Sequence, residues 1–193
     1  LVQVIQRLHR ILSEEDQATH AEIFAPFVRQ SAGQYTYRIK GKEAVWERIQ
    51  LVGVILHDLL GKIATQYAQN PVYPIAQRFF DENFDLLESE VKAKTNQEIQ
   101  AGCLQSLDDV EASYRVKANR AYKGYVGNLS ETCNPENPLQ LIVLTQTAEN
   151  RTADTKLIEA ALPELKSRTD LEKLITDGGY VGANVDQAMR EQA

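Results

Sequence analysis

The sequence predicts an α+β protein, with a helical first half followed by a second half of mixed α/β character. Apolar residues recur at three-and-four spacing through the first 90 residues, strand-length runs replace them after residue 114, and turn formers separate those runs from one another. The 193 residues, 43% hydrophobic and 25% charged, match ordinary globular usage and suffice for a sizeable core.

Leu1, Val4, Ile5, Leu8, Ile11 and Leu12 lie along one helical stripe. Ser13 followed by Glu14, Glu15 and Asp16 reads as an N-cap with acids in the first turn, which starts a second helix. After a break at Gly33, residues Lys42 to Gln69 carry Val45, Ile49, Val52, Ile55, Leu56, Leu59, Leu60 and Ile63, the pattern of a long buried helix. Pro71 and Pro74 end it, and Ile75, Phe79, Phe80 and Phe84 place another helix beyond. Asp81 to Glu111 holds nine acids against Lys92 and Lys94 and reads as a linker or surface loop. Strand period begins with Tyr114 and runs through Leu129, the turn formers Asn134 to Pro138 come next, and Leu139 to Leu144 is a second strand, giving an antiparallel hairpin. Thr152 or Asp154 caps a helix carrying Leu157, Ile158, Ala161, Leu162 and Leu165, with Pro163 as a kink or restart. Leu171, Leu174 and Ile175 form a short buried strand ending at Thr176-Asp177-Gly178-Gly179-Tyr180, and a final helix begins near Ala183.

No apolar run approaches the roughly 18 residues a membrane span needs, and Gln3, Gln6, Arg7, His9 and Arg10 interrupt the N-terminal stretch, so neither a membrane partner nor a signal peptide is expected. Cys103 and Cys133 stand far apart without a CxxC partner, which excludes a disulfide framework or a zinc cluster and makes a reducing cytoplasmic setting the default. The Asn-x-Ser/Thr triplets at Asn128 and Asn150 read as chance. His9, His20 and His57 show no metal-ligand spacing. A net charge of −6 argues against bulk coating of nucleic acid, so DNA contact must rest on local features. The single methionine, Met189, and the start at Leu1 read as a piece of a longer chain.

Asp177, at the carboxyl end of an expected strand with two glycines behind it, has the look of a site residue, since strand ends open onto crevices where ligands bind. Asp-Gly-Gly is equally the composition of a turn. The wider set decides how it is read. Asp108-Asp109-Val110-Glu111-Ala112-Ser113-Tyr114-Arg115, Tyr122-Lys123-Gly124-Tyr125, Thr152-Ala153-Asp154-Thr155 and Thr176-Asp177-Gly178-Gly179-Tyr180 resemble, in that order and spacing, the catalytic core of DDE-type insertion-sequence transposases. The resemblance covers residues 104–193, and residues 1–103 look like the helical insertion one branch of the family carries between its first and second core strands.

The resemblance implies a partial RNase H-like mixed sheet with flanking helices, in a DNA transposase performing metal-dependent strand cleavage and transfer. Three acids of the complete protein would hold two Mg2+ or Mn2+ ions about 4 Å apart, stabilising the attacking and leaving oxygens. Asp177 aligns with the second acid, as catalytic residue and metal ligand. The family's first acid, in an Asp-Ser-Thr or Asp-Gly-Thr context, has no counterpart here and is expected before Leu1; Glu191 stands too close to Asp177 to be the third. The chain then supplies one ligand of three and no catalysis alone. Without the first strand the sheet has unpaired edges, so self-association is expected. Arg115, Lys117, Arg120 and Lys123 form a run without acids that reads as a DNA phosphate contact, toward transposon ends, or as a solvated loop. Two alternatives stand: a helical protein-interaction module with a degenerate α/β tail, and a compact metal nuclease pairing Asp108 or Asp109 with Asp177.

Overall fold

The apolar stripes become helix as far as Asn83. A computed structural model describes every residue except Arg38, Ser89, Val181, Gln192 and Ala193, and the side chains of Ala188, Met189 and Glu191 also lie outside that description. The chain is mixed α and β and divides into two units, Leu1–Val110 and Glu111–Ala193. No helix is long and apolar enough to cross a membrane among the described residues.

The first unit contains α1 (Val2–Ile11), α2 (Glu14–Thr19), α3 (Ala21–Val28), α4 (Ala32–Tyr37), α5 (Lys42–Tyr67), α6 (Val72–Asn83), β1 (Phe84–Leu87) and β2 (Glu90–Ala93). Its core joins Ile5 and Leu8 of α1, Phe24 and Phe27 of α3, Val52, Leu56, Leu59 and Ile63 of α5, and Phe80 of α6. Ser13 caps α2 as its spacing predicts, its hydroxyl accepting from the Asp16 main-chain N–H at 3.2 Å. The Tyr67 hydroxyl at the end of α5 donates to Asp16 Oδ2 and accepts from the Ser13 N–H, which ties α2 to the long helix.

Beyond residue 83 the expected linker is instead a packed structure. Phe84, expected on a helix, opens the antiparallel hairpin of β1 and β2, and its ring lies so close to α5 that a Cβ on Gly53 would come within 2.2 Å of it. Gln50 of α5 completes the ladder of β2: its amide donates to the Val91 carbonyl, and its Oε1 accepts from the Ala93 N–H at 2.8 Å. Val91 and Ala93 are buried, and the acids of this stretch lie among their exposed neighbours. Two arginines draw in the chain after β2. Arg7 of α1 holds the Leu107 carbonyl and the Asp108 carboxylate, and Arg78 of α6 donates to the Gly102 and Val110 carbonyls. The unit therefore ends after Val110, seven residues beyond the boundary drawn from sequence.

The second unit contains β3 (Ser113–Lys117), β4 (Arg120–Glu131), β5 (Ile142–Glu149), α7 (Asp154–Arg168), a 3-10 turn (Gly178–Tyr180) and α8 (Ala183–Glu191). The single strand expected from Tyr114 to Leu129 is broken at Ala118 and Asn119, whose φ angles of +50° and +59° make the tight two-residue reversal that strand twist favours. The order β3-β4-β5 is antiparallel throughout, in place of the expected mixed sheet. β4 changes partner along its length: residues up to Gly124 pair with β3, and residues from Tyr125 pair with β5. Gly124, at φ +111°, makes that change in a conformation other residues rarely adopt. Asn150 is buried, its amide donating to the Tyr122 carbonyl at 3.0 Å, which removes it as a glycan acceptor.

α7 lays Ile158, Ala161 and Leu165 against Leu144 of β5, and Val185 of α8 joins them. Its N-cap is Ala153, and neither Thr152 nor Asp154 caps it by side chain; Pro163 lies inside a continuous helix. The strand expected over 171–176 is absent. Leu171 and Leu174 pack on the core at helical rather than alternating spacing, Ile175 is 64% exposed, and among the described residues no strand lies alongside to pair with them.

These contacts can be tested in two places. Gly53→Ala would force the Phe84 ring aside, and because overpacking costs about 1–3 kcal/mol against roughly 1 kcal/mol of helix gain, a lower thermal midpoint is expected. A raised midpoint would mean that the ring moves freely. The Tyr67 hydroxyl, then the Ser13 hydroxyl, hold the Asp16 carboxyl below the usual range, with a smaller pull from His20 against a desolvation that raises it. A depressed carboxyl stabilises above its unfolded value and loses that contribution as pH falls through the folded one. The stability gap between wild type and Asp16→Asn should therefore shrink between pH 6 and pH 3, measured by urea unfolding.

Candidate functional site

Asp177 precedes a single 3-10 turn. Its Oδ1 accepts from the Gly179 N–H at 2.8 Å, and its carbonyl accepts from the Tyr180 N–H at 3.2 Å. This is the Asx geometry that aspartate favours at turns. The side chain is exposed and follows extended chain rather than a strand. A second carboxylate shares the site. Asp154, in the first turn of α7, places Oδ2 2.8 Å from where a Cβ on Gly179 would stand, and Asp177 Oδ1 lies 3.1 Å from the same point. A side chain at 179 would push the Asp154 carboxylate aside, with no unusual backbone angle involved.

Arg115 reaches this pair from β3, its guanidinium 3.7 Å from Asp154 Oδ1. Tyr180 closes the other side, donating its hydroxyl to Asn128 Oδ1 on β4 at 3.0 Å. Burial raises the Tyr180 phenol above its ordinary range, and the negative charges of Asp154 and Asp177 raise it further.

The four basic residues expected to act together do not share one surface. Cross-strand partners face the same side of a hairpin, and Arg115 pairs with Tyr122 while Lys117 pairs with Arg120. Arg115, Lys117 and Arg120 therefore stand on one face, and Lys123, opposite Tyr114, on the other. The run lies on a strand hairpin, not in a loop. Asp108 belongs to the first unit, its carboxylate held by Arg7, and the Asp109 N–H donates to Ser106 Oγ. The Glu191 side chain lies outside the described residues.

Among the described residues no three His, Cys, Asp or Glu side chains converge on a metal position. The pair at Gly179 fits one hydrated hard cation, of the kind Mg2+ makes with one or two carboxylates, and does not make a two-metal centre.

Sequence reasoning passed over Asp154, read as a cap, and Asn128, read as a chance triplet. A signal for Asn128 exists. It stands at an inward position of β4's alternation, between Val126 and Ser130, where an amide needs a partner. Compared with known protein families, curated proteins and solved structures, the chain matches none.

Neutralising one acid should be visible at Tyr180. Asp154→Asn is expected to lower the pH at which Tyr180 ionises, read as the 295 nm absorbance difference against Tyr180→Phe; an unmoved titration would place Asp154 outside its electrostatic reach.

Proposed function

We propose that the second unit is part of a DDE-type, RNase H-like transposase core acting on DNA, with Asp177 among its metal-binding acids and the helical first unit as its insertion. The observation that carries this reading is the meeting of Asp177 and Asp154 across Gly179, beside a hairpin whose Arg115, Lys117 and Arg120 share a face. An antiparallel run of strands followed by a helix packed on β5, then an Asp-Gly-Gly-Tyr turn, supports it in chain order, while the strand that the resemblance places ahead of Asp177 is absent among the described residues.

The basic face offers DNA phosphates guanidinium and ammonium donors in a row, a sequence-independent contact that fixes the duplex near the acids. Asp177 and Asp154 would hold a Mg2+ or Mn2+ ion, which when bound supplies neutralisation of phosphate charge. Arg115 stands beside that pair, its guanidinium forming an ion pair with Asp154. Cleavage by two metal ions needs more donors than this pair provides.

Fluorescence anisotropy with a double-stranded oligonucleotide of arbitrary sequence tests the reading. Replacing Lys117 and Arg120 by alanine should flatten the plot of log affinity against log salt by about 2, near 0.9 per lost phosphate contact, while Lys123→Ala leaves it unchanged. The affinity ratio of wild type to Asp177→Asn should rise when Mg2+ is added at constant ionic strength. An unchanged slope and ratio would overturn the proposal.

A further inference from the structure

We propose that Tyr180 and Asn128 are positioning residues for Asp177, a hydrogen-bond chain from β4 holding the 177–180 turn so that its carboxylate faces Asp154. The Tyr180 hydroxyl donates to Asn128 Oδ1 at 3.0 Å, the Asn128 amide donates to Oε1 of its register partner Gln146 at 2.9 Å, and the Gln146 amide donates to the Leu157 carbonyl of α7 at 3.0 Å. The direction of this chain is fixed from its far end. A main-chain carbonyl only accepts, so Gln146 must turn its NH2 to Leu157 and its oxygen to Asn128. Asn128 then has only its oxygen left for Tyr180, which must be the donor. Phenylalanine cannot replace it.

The chain matters because the main chain leaves the turn unsecured. Among the described residues no β-ladder joins 170–177 to the sheet, and the turn itself is three residues long. The Tyr180 ring packs on the core with Leu171 and Leu174, which fixes depth but not rotation. The hydroxyl bond to β4 supplies that rotation, and with it the facing of Asp177 toward Asp154 across Gly179. This role rests on reading Asp177 as a site carboxylate; the hydrogen-bond chain does not.

Amide hydrogen exchange at Gly179 and Tyr180, together with Mn2+-induced NMR broadening of the Gly178 and Gly179 amides, separates the two. Tyr180→Phe and Asn128→Ala should each speed exchange about tenfold, the scale of one lost hydrogen bond, with the double variant no worse than either and the broadening reduced in all three. Asn128→Asp still offers Tyr180 an acceptor but sets a carboxylate oxygen against Gln146 Oε1 in place of a donor, so it too should speed exchange. Unchanged exchange in Tyr180→Phe with broadening intact would overturn the positioning role alone. Absence of broadening in the wild type would overturn the reading of Asp177 and the positioning role with it.

Discussion

The change of partner along β4 is the constraint on which the second unit depends. Two ladders share one strand, and the chain ends one and begins the other at Gly124, whose φ is positive. Asn150, returning at the end of β5, fastens the joint from outside: its N–H donates to the Gly124 carbonyl and its amide to that of Tyr122. Everything chemically interesting is placed by this joint. The residues before it carry the basic face, and those after it carry Asn128, while Arg115 and Asp154 meet because the Arg151 N–H, just ahead of α7, donates to Ser113 at the start of β3.

The first unit solves a similar problem with side chains. A two-stranded hairpin has little stability by itself in water. Here the Phe84 ring fills the space left by Gly53, and the amide of Gln50 supplies the hydrogen bonds of an absent neighbour. Neither glycine nor glutamine announces such a role within a helix, where one looks like a weak point and the other like surface.

Helices were legible because their periodicity is local. The spacing from Val45 to Ile63 and the cap at Ser13 need no knowledge of distant chain, and both helices stand in the structure, although burial of α5 begins only at Val52 and Val45 is 41% exposed. Strands were legible only in part: the run read over Leu139–Leu144 meets β5 (Ile142–Glu149) at its first three residues, because the polar second half of β5 does not look like strand. β3 hid because its turn uses Ala118 and Asn119 rather than glycine, and β1 and β2 hid because each is four residues long, with Leu86 and Leu87 both exposed in β1 and only Val91 and Ala93 turned inward in β2. The segment 171–176 failed in the opposite way: apolar content looked like a strand, yet a strand exists only beside a partner edge. At the site, Asp177 stood out by its glycines, while Asp154 could not, because its closeness to Asp177 is made by the fold and one helical turn of sequence contains no trace of it.

The two sheets treat their margins differently. Gln50 plugs β2 with an amide of its own chain, leaving that margin no invitation to a passing strand. Along residues 125–131, β4 bonds to β5 on one side and, among the described residues, to no strand on the other, while Leu129 points outward from an uncovered face. Strand addition is thus blocked at the margin of β2 and open along this stretch of β4. In a concentrated or partly unfolded sample, that stretch of β4 is a place from which ordered aggregates would extend.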